Sequence, residues 1–138
     1  MKKKKLKEGF TLVEVLIVLG IIAVLTSIAV PSVKGIINQA NATKIVTDMQ
    51  NVQVAVLNYS LYNNNLSGLT IETLISDGYL SSSFNYKENE NEIISLADGG
   101  INQIKILYTG DSPSALELKK INNNLTIENN NAYLLVKF

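Results

Sequence analysis

The sequence has no cysteine, no histidine, no tryptophan and no arginine. Without cysteine there is no disulfide staple and no thiolate chemistry, so any part lying outside a cell must hold its fold by packing. Without histidine the commonest general base and the commonest metal ligand are both absent. All twelve basic residues are lysines, and twelve acids balance them to a formal charge of zero. That zero hides an asymmetry. Lys2, Lys3, Lys4, Lys5 and Lys7 precede the apolar run, opposed only by Glu8. From residue 10 onwards seven lysines meet eleven acids, a net of about −4, which does not fit a basic nucleic-acid face.

What is present first is a long apolar run. Residues 10–30 carry a single charge, Glu14. As a helix rising about 1.5 Å per residue they would span roughly 32 Å, the thickness of a bilayer core. A soluble core helix rarely stays apolar on every side for that distance. The lysines on the N-terminal flank place that end in the cytoplasm and residues 31–138 outside. Two export routes fit these flanks. One is a secretory signal cut near Ser27-Ile28-Ala29, leaving a secreted binding domain mature from about Val30. The other is a helix that stays with the protein. Glu14 weighs against the first, because an acid inside a membrane span costs several kcal/mol and marks a function with a partner.

The run KEGFTLVEVLIVLGIIAVLTSIAVPSV resembles the N-terminal signature of type IV pilins and type II secretion pseudopilins. The resemblance rests on Gly, Phe, Thr, Leu and Glu at fixed offsets behind a basic leader, and on the place of Pro31; it is close over residues 4–37. It implies that a prepilin peptidase cuts between Gly9 and Phe10 and then methylates the new amino group of Phe10. It also implies an assembly role for Glu14. The α-ammonium of Phe10 and the Glu14 carboxylate lie about 6 Å apart along a helix axis. In a staggered stack the amine of one subunit can pair with Glu14 of its neighbour, so that two buried charges neutralise each other. Gly9 suits a cleavage site because it has no side chain to clash, although it also serves as a plain leader-to-helix joint. Pro31 removes the donor that would bond the Ser27 carbonyl and predicts a helix kink there.

From Val33 the pattern becomes amphipathic. Ile45, Met49, Val52, Val56 and Tyr59 form one stripe, with Lys44, Asp48, Asn51 and Asn58 off it. The helix is expected to run to about Tyr62, where Asn63-Asn64-Asn65 and Gly68 stop it, with the stripe against a sheet of the same chain. Thr70–Leu80 reads as a short helix capped by Thr70 and ended by Gly78. Beyond it, Glu92–Ala97, Ile101–Thr109, Ala115–Ile121, Leu125–Glu128 and Ala132–Phe138 alternate and are separated by turn-forming residues. These predict an antiparallel sheet of three to five strands, with Tyr108, Leu116, Leu118, Leu134 and Val136 facing the long helix.

Three further signals are set aside. Glu88, Glu90 and Glu92 would share a face if extended, but the run lacks the glycine and short aspartates of a Ca²⁺ loop and reads as a solvated loop. Gly110-Asp111-Ser112 has no histidine with which to build a triad. The Asn-x-Ser/Thr triplets at Asn58 and Asn124 are what chance produces in an asparagine-rich chain.

The expected organisation is therefore a leader at 1–9, which is removed, a transmembrane and filament-core helix at 10–30, and a globular domain at 31–138. The domain divides into an amphipathic helix (31–62), a connecting segment (63–91) and a β-sheet (92–138). The fold class is α+β, type IV pilin-like by the resemblance. The expected function is a structural subunit of a pilus or a secretion pseudopilus, not an enzyme, with no catalytic residue, metal or cofactor. Its implied partners are prepilin peptidase, other copies and minor pseudopilins, and an assembly platform with its ATPase.

Overall fold

The computed structural model describes residues 9–138. Of the expected leader only Gly9 falls within that range; the rest lies outside the described residues. The elements in chain order are α1 (Leu12–Ser60), α2 (Ile71–Ser76), β1 (Lys87–Glu88), β2 (Asn91–Glu92), β3 (Ile94–Gly100), β4 (Gln103–Tyr108), α3 (Ala115–Ile121), β5 (Thr126–Glu128) and β6 (Asn131–Lys137). Packing divides the chain into two units, Met1–Ile37 and Asn38–Phe138.

In the first unit, α1 from Leu12 to Ile37 exposes every side chain described. In the second, the same helix buries the expected stripe. Ile45, Met49, Val52 and Val56 are buried and Tyr59 is partly so; Ala42, Val46 and Ala55 widen the buried face. Fully burying one such aliphatic side chain contributes about 1.5–3 kcal/mol, so these residues hold the helix on the domain. The helix ends two residues before the expected Tyr62. The Tyr59 carbonyl accepts from the N–H groups of Tyr62 and Asn63 in a closing turn.

The main sheet has four antiparallel strands in the order β3-β4-β6-β5, within the expected range. Burial alternates along β4 and β6. Ile104, Ile106 and Tyr108 point inward, as do Ala132, Leu134 and Val136, and they join the α1 stripe in one core. Asn129 and Asn130 both take left-handed backbone between β5 and β6, the two-residue turn whose twist matches a hairpin. Among the described residues no charged or polar side chain is buried. This α+β arrangement is the pilin-like one expected.

Three local expectations are corrected. Residues 115–121 form a helix, not a strand. Ser114 caps it through a full capping box, its side chain accepting from the Glu117 N–H while the Glu117 carboxylate accepts from the Ser114 N–H. That local pair overrides an apolar-polar alternation too short to specify a strand. Leu116 consequently faces solvent, while Ala115 and Leu118 are buried. Secondly, Asp98-Gly99-Gly100 does not turn the chain. It ends β3 with a bulge, and the reversal falls at Ile101-Asn102. Thirdly, the acidic run is neither loop nor single strand. Lys87 pairs with Glu92 and Glu88 with Asn91 around a left-handed Asn89-Glu90 turn, so its carboxylates do not share a face.

The segment between α1 and the sheet is tied down by named contacts. Thr70 caps α2, as expected. At its end Gly78 takes φ +81 and its N–H bonds the Ile75 carbonyl, while the Tyr79 N–H reaches the Leu74 carbonyl at 2.8 Å. This is a Schellman closure, and it needs the left-handed glycine. Tyr79 then meets Tyr59 of α1 edge-on, ring centres 5.4 Å apart. The Tyr86 hydroxyl donates to Glu72 at 2.6 Å, and Lys87 lies over the Tyr86 ring, joining the β1–β2 hairpin to α2. That hydroxyl holds the Glu72 carboxyl below its ordinary range and, together with it, keeps Lys87 charged to higher pH.

Candidate functional site

The residues that the sequence marks for processing and assembly, Gly9, Phe10 and Glu14, stand at the start of α1. Gly9 and Phe10 precede α1 and lie outside it. A Cβ added at Gly9 would meet nothing within 4 Å, and Phe10 is 93% exposed. The peptide bond between them is therefore non-helical and open on its sides, as a bond entering a protease must be.

Glu14 sits in the first turn of α1, and in the single chain it already has a partner. Its Oε2 accepts from the Thr11 N–H at 2.7 Å and from the Thr11 hydroxyl at 2.8 Å. The Glu14 N–H in turn donates to the Thr11 hydroxyl at 3.2 Å. The two residues form a reciprocal capping box: Thr11 starts the helix, and the acid three positions on satisfies the N–H that would otherwise be orphaned. A carboxylate at this end also meets the favourable end of the helix dipole. Thr11 was missed as a site residue in the sequence, although Thr-x-x-Glu before an apolar run is a recognisable signal.

Downstream, Leu16, Ile17, Leu19, Ile21, Ile22 and Leu25 are all more than half exposed. The helix is long and apolar enough to cross a membrane. The two hydroxyl residues within 12–30 bond back to their own backbone, Thr26 to the Ile22 carbonyl and Ser27 to the Val24 carbonyl, each at 2.7 Å. No polar group of theirs is left for solvent to satisfy, the condition a lipid-facing helix must meet. α1 runs uninterrupted through Pro31; the Ser27 carbonyl faces a residue with no N–H to give.

Residues 4–30 match the prokaryotic N-terminal methylation motif. Type II secretion system core protein G of Vibrio cholerae serotype O1 is 39% identical over 64 residues, which cover 46% of this chain and 44% of that protein. The proteins of the same name from Aeromonas hydrophila and Pectobacterium carotovorum subsp. carotovorum are 37% identical over 62 residues and 38% over 58. The chain thus spans less than half the length of the curated relatives it matches. No solved structure matches it. The methylation motif takes in Gly9, Phe10, Thr11, Glu14 and the whole apolar run up to Val30. The box and the open Gly9–Phe10 bond both fall inside it.

Proposed function

We propose that this chain is a structural subunit of a type II secretion pseudopilus, or of the related type IV pilus, and that it acts by polymerising through its N-terminal helix. The observation carrying this reading is the methylation motif at the head of a helix whose N-terminal half, to Ile37, exposes every described side chain. The relatives are type II secretion proteins, which favours the pseudopilus.

The chain inserts with its lysine-rich end in the cytoplasm, following the positive-inside bias. Prepilin peptidase cleaves after Gly9 and methylates the amine of Phe10. In the filament that amine pairs with Glu14 of a neighbouring copy. The pairing is an exchange, in which the incoming cation takes over an oxygen that Thr11 held in the single chain. The Thr11 bonds already go to an ionised carboxylate, so what the exchange adds is the counter-charge: Glu14 and the Phe10 amine neutralise each other, which favours assembly and fixes register. Residues 10–30 then pack as the filament core and residues 31–138 lie outside it. Minor pseudopilins, an assembly platform and its ATPase are the partners such a filament requires.

The test is the mass and first residue of the mature protein from its host. A chain starting at Phe10 and carrying one methyl group, about 14 Da, is expected. A chain starting near Val30 would mean that the helix is discarded as a secretory signal, and the polymerisation reading would fall.

A further inference from the structure

β3 stands at one end of the sheet, and its free edge is closed along only part of its length. The register with β4, together with the bond from the Thr109 N–H to the Ile93 carbonyl at 3.0 Å, fixes the direction of each residue. Ser95 and Ala97 bond inward to β4, while Ile94, Leu96 and Asp98 turn their N–H and C=O groups to the free side. The chain already uses the start of this edge: the Tyr86 carbonyl accepts from the N–H groups of Ile93 and Ile94, at 2.9 and 3.2 Å. Past that point Leu96 and Asp98 have no backbone partner on the free side among the described residues. The Gly99–Gly100 bulge closes the other end. The open stretch is three residues long.

A groove of about 300 Å³ lies along this stretch, with residues 64–69 as its opposite wall. Leu66, Leu96 and Ile104 supply apolar lining, and the Asn64 and Asn102 amides line it as well. Asp98 is the one acidic side chain among the lining residues, and no lysine joins it. Its Oδ1 accepts from the Gly100 N–H, and the second oxygen has no partner in the chain among the described residues. Outward N–H and C=O groups repeating every second residue, about 6.6–6.8 Å apart, match another extended backbone and little else. Unpaired edges of this kind pair with other chains unless they are covered.

We propose that this groove binds an extended segment of a partner polypeptide, which adds as a short strand to β3. Its backbone pairs at Leu96 and Asp98, its alternate apolar side chains rest on Leu66 and Ile104, and a lysine or arginine lies beside Asp98. The proposal does not depend on the polymerisation reading.

The test uses the full chain in detergent micelles, titrated with acetyl-Lys-Thr-Val-Thr-Val-amide, whose lysine and valines share one face of a strand, and followed by backbone amide shifts and hydrogen exchange. Shifts at Leu96, Asp98 and residues 64–69 are expected, with slowed exchange of the Leu96 and Asp98 amides. Two versions of the peptide, N-methylated at one or the other set of alternate residues, distinguish strand addition from side-chain binding. One of them should bind about tenfold more weakly and the other as before, because only alternate N–H groups face β3. Asp98→Asn, which keeps an oxygen for Gly100, should weaken the lysine peptide about threefold. Absence of shifts, equal binding of the two methylated peptides, or protection of Leu96 that rises with protein concentration alone would each overturn the proposal. The last would assign the edge to a second copy.

Discussion

The two halves of α1 are built from similar apolar residues and do opposite things with them. From Ile45 to Tyr59 they recur at helical spacing, and polar residues take the other face, so one side is buried and the other is wet. From Leu12 to Ile28 no polar face exists, and Leu16, Leu19 and Ile22 stay exposed on the single chain. The lesson concerns what each half folds against. The C-terminal half finds its partner in its own sheet. The N-terminal half buries nothing among the described residues and needs a partner supplied, by lipid or by other helices.

The sharpest way to break that contrast is at Glu14. Glu14→Ala is expected to abolish incorporation into sheared filaments while membrane insertion and cleavage after Gly9 persist, as read by immunoblot of filament and membrane fractions. Normal filaments from this variant would remove the assembly role. A smaller effect separates the halves by stability. Leu118→Ala, in the domain core, should destabilise the full chain in detergent by about 2–5 kcal/mol in denaturant titrations. Leu19→Ala should move the same transition by less than about 0.5 kcal/mol. Equal losses at the two positions would mean that the apolar half is packed on the domain after all.

Tyr108 gives the next effect, and it is a pH effect. Its hydroxyl donates to the Pro113 carbonyl at 2.9 Å, and the residue is 1% exposed. Burial, helped by the Glu88, Asp111 and Glu117 carboxylates, pushes its pKa up to about 12. A raised pKa gives stability that is intact below the ordinary tyrosine value near 10 and is lost as pH rises towards 12. Thermal transitions should therefore fall over that window. Tyr108→Phe should flatten the fall and cost about 1–2 kcal/mol at neutral pH, because the Pro113 carbonyl loses its donor. Gly110→Ala should cost at least as much, since its Cβ would run into the Tyr108 ring. The smallest effect belongs to Tyr86→Phe. It frees Glu72, whose carboxyl should titrate higher by NMR, with a stability change of about 0.5 kcal/mol or less on an exposed surface.

The sequence carried the helix stripe and both ends of α2 because each rests on one repeated or local signal: 3-4 spacing at Ile45 to Tyr59, Thr70 as cap, Gly78 as stop. It failed where two local signals competed. Ala115–Ile121 alternates like a strand, yet Ser114 and Glu117 nucleate a helix. Asp98-Gly99-Gly100 has turn chemistry, yet the β4 pairing carries the strand on to Gly100 and leaves Asn102 to take the left-handed corner, φ 54. At the N-terminus Glu14 stood out as the one charge in an apolar run. The partner it takes in the single chain was hidden, because Thr11 is small and reads as part of that run.

That partner bears on how a subunit of the proposed filament stands before it assembles. A carboxylate that closes its own helix start is not under tension before a neighbour arrives. On the proposed reading, a subunit waiting in the bilayer keeps its Glu14 carboxylate hydrogen-bonded to Thr11 until a neighbour's amine takes over.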